Sequence, residues 1–218
     1  MNTNENKNLL LCCLLLLGSF ATITAQDGRF KGGLVVGLNI SQINGDDYAG
    51  FDKIGLQAGV RGVAVLSNKM ELGLELLYSQ RGSQVPDPAI PQERNGEPCF
   101  DCIELTYVEV PVTFNYLDWA AKGGENNTEF HRIHAFGGLS YGRLLNSYVD
   151  FQDIVPIQNE FKKNDLSITL GATFYLTPHL GLSLRYTKSI FPLYKDTVVP
   201  IRKPLFGFLY NFQTVYMF

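Results

Sequence analysis

Hydrophobic and polar residues alternate with a period of two along most of this chain. The alternation is clearest from Phe206 to Phe218, where one parity is almost entirely aromatic and the other is mixed. A period of two is typical of a β-strand, because successive side chains point to opposite faces of a sheet. Apolar residues do not recur at spacings of three and four, so the pattern predicts strands and no helices in this part of the chain.

Eight segments show this alternation, and each is about as long as a strand that crosses a bilayer at a tilt. They are Phe30–Ile40, Ile54–Leu66, Met70–Gln80, Ile103–Tyr116, His131–Tyr148, Leu166–Leu176, Leu180–Ile190 and Phe206–Phe218. Pro111 lacks an N–H group, so we expect a bulge or a strand end at that residue.

The connections between these segments alternate between short and long. Ser67–Lys69 and Thr177–His179 are short turns, whereas the polar stretches 41–53, 81–102, 149–165 and 191–204 are long. The connection 117–130 lies on the short side but is long, and its Gly- and Asn-rich centre indicates a flexible loop. Short turns on one side and long loops on the other are typical of outer-membrane barrels. The sequence therefore predicts an all-β fold, an eight-stranded antiparallel up-and-down transmembrane β-barrel.

Composition agrees with this class and excludes several others. Charged residues make up 18% of the 218-residue chain, the mean hydropathy is +0.00 and the formal net charge is -3. This charge offers no basic field for nucleic acid. Without a run of about 18 apolar residues, a bundle of membrane-spanning helices is excluded as well.

The first residues are typical of a targeting segment. Lys7 precedes the apolar stretch Leu9–Leu17, and small residues follow up to Ala25. This order predicts a signal peptide over residues 1–25, cleaved after Ala25, and a barrel domain over 26–218. Lipidation at Cys12 or Cys13 is the alternative, but a bulky Leu or Cys precedes each of them.

Two cysteines, Cys99 and Cys102, remain after this cleavage. An exported chain meets an oxidising compartment, so a disulfide between them is the first expectation. Free thiols are the alternative. Redox or metal chemistry is less favoured, because a structural metal site needs two further ligands.

Strand parity places five charged side chains opposite the apolar band, and therefore inside the barrel. They are Arg61, Glu71, Glu75, Glu109 and Arg185. An eight-stranded barrel is only wide enough to be filled by side chains, so these charges must pair. We expect a structural charge network in the lumen. A gated ion path, a small-ligand site and paired carboxylates for acid–base chemistry remain alternatives.

Other candidate chemistry is weaker. The odd spacing of His131 and His134 puts them on opposite faces of a strand, where they cannot bind one metal ion. A serine hydrolase would need a nucleophile within reach of a base. Ser140 and His134 share a parity but lie six residues apart, too far for direct contact along a strand. We therefore expect no catalytic residues, no cofactor and no metal site.

Five stretches, taken in order, resemble a known family. They are Gly37-Leu38-Asn39-Ile40-Ser41, Glu75-Leu76-Leu77-Tyr78-Ser79-Gln80-Arg81-Gly82, Tyr107-Val108-Glu109-Val110-Pro111-Val112, Phe136-Gly137-Gly138-Leu139-Ser140-Tyr141-Gly142 and Leu182-Ser183-Leu184-Arg185-Tyr186. The set is similar to the PorT-like outer-membrane β-barrel family of Bacteroidota. The resemblance implies an eight-stranded barrel in the outer membrane, in contact with its lipid. It leaves the function open, because the family is broad and one named member assists protein secretion.

Three functions follow as hypotheses. The first is a non-enzymatic barrel that serves the cell envelope through its surface loops, as a structural or binding protein. The second is an accessory component of a protein secretion machine. The third is a soluble lipocalin-like carrier.

The last strand carries a prediction about assembly. Tyr216 and Phe218 share one parity, and a terminal aromatic resembles the signal by which barrel-assembly machinery recognises its clients. Deleting Phe218, or changing it to Asp, should reduce the amount of assembled barrel while export to the periplasm continues. Heat-modifiable gel mobility of envelope fractions measures this. An unchanged amount of the compact, heat-sensitive form would contradict the prediction.

Overall fold

The protein is a closed ring of eight antiparallel strands. The computed structural model describes residues 29–44, 53–84, 102–123, 128–150, 161–194 and 205–218. The strands are β1 (Phe30–Asn44), β2 (Lys53–Ser67), β3 (Met70–Gln84), β4 (Cys102–Gly123), β5 (Thr128–Asp150), β6 (Asn164–Tyr175), β7 (Leu180–Ser189) and β8 (Phe206–Met217). The predicted eight-stranded up-and-down barrel is confirmed. No helix in these described ranges is long and apolar enough to cross a membrane.

Pairing of the first and last strands closes the ring. The β1–β8 ladder runs from Gly33↔Met217 to Asn44↔Phe206, and every other strand pairs with its two sequence neighbours. Beyond the ladder, the backbone N–H of Phe218 donates to the carbonyl oxygen of Gly32 at 2.8 Å. Closure matters because lipid offers no hydrogen bonds to a free strand edge.

The two faces of the ring differ in polarity, as the alternation predicts. Large apolar side chains on the outside are each more than two-fifths exposed: Leu34, Val36, Leu38, Leu56, Val60, Leu74, Leu76, Val112, Phe114, Leu139, Leu170, Leu182, Leu184 and Phe212. Most buried polar side chains point inward from the opposite parity. A polar interior with an apolar exterior is the arrangement of a barrel solvated by lipid.

The interior also contains two apolar clusters. One lies at the end that carries the long connections and comprises Ile43, Ile103, Leu105, Tyr107, Phe161, Leu193, Tyr194 and Leu205. We call it the loop-end cap. The other comprises Val35, Val63, Leu77, Tyr175, Val215 and Met217, with Phe130 packed against it. We call it the inner apolar layer.

The connection expected between residues 117 and 130 is mostly strand. The β4–β5 ladder continues to Gly123↔Thr128, so only residues 124–127 separate the two strands. This hairpin extends beyond its neighbours, because the last pairs to β3 and β6 are at Tyr116 and Ile133. We call residues 118–133 the short-turn hairpin. The expected long loop was wrong, because ladder hydrogen bonds extend both strands into this stretch, and the flexibility expected of its centre concerns residues 124–127, which lie outside the described residues.

The expectation at Pro111 was also wrong. β4 passes through this residue, which pairs with Ser140 of β5, and the register to β3 is the same on both sides of it. The register shift of β4 lies at Thr106/Tyr107 instead. A proline removes only one ladder donor, and the surrounding pairs hold the strand in place.

Charged lumen of the barrel

All five charged side chains assigned to the lumen by parity lie inside the ring. Arg61, Glu71, Glu75, Glu109 and Arg185 are each exposed by 3% or less. Buried charges without partners are strongly destabilising. The partners of each group therefore decide what this cluster does.

Glu75 lies at the centre of one group of charges. Both of its carboxylate oxygens accept hydrogen bonds from Nη2 of Arg185 at 2.8 Å. Nη1 of Arg61 is 3.4 Å from Oε1 of the same carboxylate, and Nη2 of Arg61 donates to Oδ1 of Asn115 at 3.2 Å. The Arg185 guanidinium also lies 5.3 Å from the ring centre of Phe136. Since β3 and β7 face each other across an eight-stranded ring, Glu75 and Arg185 join opposite walls of the barrel.

A second group is centred on Arg81, closer to the loop end. Its Nε donates to Oε1 of Glu109 at 2.8 Å, and its Nη1 donates to Oδ2 of Asp165 at 2.8 Å. Ser167 donates to the same Asp165 oxygen at 2.8 Å. The Arg81 guanidinium lies 4.9 Å from the ring centre of Tyr107, a member of the loop-end cap. This group ties β3, β4 and β6 together.

Arg81 and Asp165 were missed in the sequence reasoning. The predicted strands ended at Gln80 and began at Leu166, so both residues were assigned to loops. Their parity would have identified them. Arg81 shares the parity of Glu75 and Ser79 on β3, and Asp165 shares that of Ser167 on β6.

A third group lies at the end with the short turns. Glu71 is 3.3 Å from Nζ of Lys31 and 3.5 Å from Nδ1 of His134. These three side chains, His131 and Phe130 line a cavity of about 150 Å³. Both histidines border this cavity, although their spacing of three residues along β5 gives their side chains opposite parity. No group of three His, Cys, Asp or Glu side chains in the described part of the chain could hold a metal ion.

The ion pairs that line the lumen among the described residues balance in charge. The cations are Lys31, Arg61, Arg81 and Arg185, and the anions are Glu71, Glu75, Glu109 and Asp165. Buried amides from neighbouring strands add a polar layer. Asn211 donates to Asn39, Gln213 donates to Gln57, and Asn39 donates to Ser79 Oγ at 2.9 Å.

The candidate nucleophile and base for hydrolysis do not meet. Ser140 is 2% exposed and its Oγ has no hydrogen-bond partner among the described residues. The ring of His134 lies 4.5 Å from that of Tyr175 and its Nδ1 faces Glu71. A hydrolytic nucleophile needs an adjacent base and access to substrate, and this geometry provides neither.

Two sequence expectations lie outside the described residues. The signal peptide over residues 1–25 is one. The Cys99–Cys102 disulfide is the other, since Cys99 is not described and only the backbone of Cys102 is, at the start of β4.

A closed antiparallel ring with an apolar exterior and a polar, ion-paired interior defines a membrane-spanning β-barrel. Residues 12–212 match the family model described as outer membrane protein beta-barrel domain. The chain belongs to this family. Family membership supports a place in the outer membrane.

Several solved structures share the fold. Ail, the attachment invasion locus protein of Yersinia pestis, solved in complex with the heparin analogue sucrose octasulfate, is 14% identical with a TM-score of 0.45, covering 87% of this chain and 99% of Ail. Neisserial surface protein A is 10% identical with a TM-score of 0.48, covering 88% and 98%. OprG from Pseudomonas aeruginosa is 13% identical with a TM-score of 0.38, covering 87% and 94%. No curated protein matches the chain.

The Glu75 group yields a stability prediction. Changing Glu75 to Gln leaves two buried guanidinium groups without their carboxylate, which should lower the free energy of unfolding by about 3–5 kcal/mol. The matched control is Glu129→Gln. Glu129 pairs with Lys122 at 3.3 Å, but both side chains are more than half exposed, so the loss should be only about 0–1 kcal/mol. Urea unfolding in lipid vesicles measures both variants, and equal losses would contradict a structural role for Glu75.

Proposed function

We propose that this protein is a non-enzymatic scaffold of the cell envelope, which holds its long loops at the membrane surface and conducts nothing through its lumen. The observation that carries the proposal is the filled interior. The hydrogen bonds between Glu75 and Arg185 cross the lumen, and the Arg81 group spans three strands. An ion moving through the barrel would have to break these contacts.

The apolar clusters support the same conclusion. The inner apolar layer and the loop-end cap line different parts of the barrel interior, and tyrosine hydroxyls are the only polar side-chain groups in them. An ion entering these clusters would lose most of its hydration and gain few ligands, at a cost of several kcal/mol. A soluble carrier is disfavoured too, since it would need an apolar cavity inside and polar side chains outside.

The loop-end cap also supports a role for the loops. Phe161, Leu193, Tyr194 and Leu205 lie next to two of the long connections and are all buried in the cap. Backbone hydrogen bonds join these positions, including Leu193 N–H to the Leu205 oxygen at 2.8 Å and Lys162 N–H to the Leu193 oxygen at 2.8 Å. Because the residues at the ends of these loops are held in place, the loops can present binding residues from a rigid scaffold.

Conductance measurement tests the sealed lumen. The purified protein in planar lipid bilayers should show no stepwise current, because its side chains fill the interior. A variant that combines Arg61→Ala, Glu75→Ala and Arg185→Ala serves as the comparison, and any current it carries should be absent from the unaltered barrel. Regular current steps from the unaltered protein would overturn the proposal of a sealed scaffold.

A second candidate function is that of an accessory component of protein secretion. The resemblance to PorT-like barrels suggests it, and the short-turn hairpin supports it. In an outer-membrane barrel the short turns face the periplasm. The hairpin therefore presents strand edges without neighbours to that compartment. Trp119 in it is 58% exposed and has a φ of 57°, a strained conformation for a bulky residue.

Two variants separate the candidates. One replaces residues 45–52, 85–101, 151–160 and 195–204 by short Gly-Ser linkers. The other shortens the short-turn hairpin to a tight turn between Asp118 and Ile133. If the loops carry the function, only the hairpin variant should restore the normal phenotype of a strain from which the gene for this protein has been deleted. If the protein assists secretion, the deletion strain should retain secreted cargo, and only the loop variant should restore release. Heat-modifiable mobility checks that both variants assemble.

A further inference from the structure

The outer surface at the loop end carries four exposed cations, on or beside three consecutive strands. They are Arg143 of β5, Lys162 and Lys163 just before β6, and Lys188 of β7. None of them forms an ion pair with a described residue, whereas Lys53 at the same end pairs with Glu104. These four side chains are called the rim cations below.

Strand pairing places the rim cations in one sector of the wall, on three adjacent strands. Arg143 pairs with Asn164, the residue that follows Lys163, and Lys188 pairs with Ile168 on the other edge of β6. Since neighbouring strands are about 4.8 Å apart, β5 and β7 are separated by roughly 10 Å across β6, and the four residues from Asn164 to Ile168 add roughly 13 Å along it. A backbone hydrogen bond also joins the residues next to Arg143 and Asn164, because the Leu144 N–H donates to the Lys163 carbonyl oxygen at 2.9 Å.

Contacts around Arg143 and Lys188 direct both side chains along the surface of the barrel. Nη1 of Arg143 donates to Oδ1 of Asn164 at 2.6 Å, and the Tyr141 hydroxyl donates to the same oxygen at 2.9 Å. The ammonium of Lys188 lies 5.1 Å from the ring centre of Phe208. One nitrogen of Arg143 donates to Asn164, and none of its other N–H groups donates to a side chain that the structure describes.

Aromatic residues mark the height of the rim cations relative to the membrane. Tyr141 precedes Arg143 by two positions on β5, and Tyr186 precedes Lys188 by two positions on β7. The ring of Tyr186 packs against that of Tyr210 on β8 at 5.2 Å. Exposed aromatics form girdles where hydrocarbon meets the polar headgroups. Arg143 and Lys188 therefore each lie two positions closer to the loop end than the tyrosine of their own strand, on the headgroup side of these aromatic residues.

The carboxylates at this end whose side chains the structure describes already have partners. Glu109 and Asp165 are buried inside the barrel on Arg81, and Glu104 is paired with Lys53. Asp118 and Glu129 lie in the short-turn hairpin at the other end. The described part of this surface therefore has an excess of positive charge in a sector about three strands wide.

We propose that the rim cations bind the phosphate groups of phosphorylated glycolipid in the outer leaflet of the outer membrane. Long loops lie on the outer side in this class of barrel, so the sector faces that leaflet. A guanidinium binds phosphate through two parallel hydrogen bonds, and lysine ammonium groups bind it as point charges. The apolar side chains below the girdle contact the acyl chains of the same lipid. The proposal concerns a lipid site on the outer wall and is independent of any role of the loops.

The test uses the full barrel in bilayer discs of phosphatidylcholine, titrated with lipid A. One variant combines Arg143→Gln, Lys162→Gln, Lys163→Gln and Lys188→Gln. Native mass spectrometry counts the lipid bound to each barrel. We expect at least a tenfold loss of affinity, since each cation near an anionic surface contributes about 1 kcal/mol, or roughly fivefold.

Three controls make the result specific. A variant with Arg29→Gln, Lys69→Gln and Lys122→Gln removes exposed cations from the short-turn end and should bind lipid A like the unaltered protein. Dephosphorylated lipid A should bind the unaltered barrel as weakly as the intact lipid binds the rim variant. Inorganic phosphate at millimolar concentration should not bind detectably, because it lacks acyl chains.

Several outcomes would overturn the proposal. Unchanged affinity in the rim variant would show that these cations do not hold the lipid. An equal loss in the short-turn-end control would show a nonspecific effect of charge, and equal binding of dephosphorylated lipid would show that acyl chains suffice. If phosphatidylglycerol binds the rim as tightly as lipid A, the site does not select the outer-leaflet lipid. Heat-modifiable mobility confirms assembly, and the single variants Arg143→Gln and Lys188→Gln repeat the measurement with smaller changes.

Discussion

The strand ladder must close on itself, and the rest of this structure depends on that constraint. A bilayer offers no partner to a free backbone N–H or C=O group, so the last strand has to pair with the first. With eight strands, closure gives a ring whose interior is only as wide as the side chains that fill it. The inward-facing residues then have no room for bulk water, and each charged group must find its partner inside the lumen. Arg61, Glu75 and Arg185 meet this requirement.

Parity along the chain was enough to predict the fold. Each predicted strand overlaps an observed one, and closure follows from the number and length of the strands. The ends of the strands were less predictable, because pairing with a neighbouring strand, rather than local alternation, decides where a strand stops. Gly123 and Thr128 illustrate this, since both lie in a stretch whose composition is typical of a loop and yet pair with each other.

The lumen was predictable as a type of surface but not as a set of contacts. Parity identified inward-facing charges, whereas it could not show that Glu109 binds Arg81 instead of Arg61 or Arg185. Inward apolar residues were also hidden, because Val35, Leu77 and Val215 follow the parity of the polar face. A partner three or four strands away is set by the tilt and stagger of the strands, and no local pattern encodes these quantities.

The hydrogen bonds between Glu75 and Arg185 have a consequence for the order of assembly. The two residues are 110 positions apart and lie on opposite walls, so an open sheet would hold them far from each other. They meet only when the sheet has curled completely and its edges have joined. The hydrogen bonds between Glu75 and Arg185 are therefore among the last contacts to form. Separating two paired strands would break these hydrogen bonds together with the ladder, so both assembly and unfolding of the barrel are expected to be cooperative.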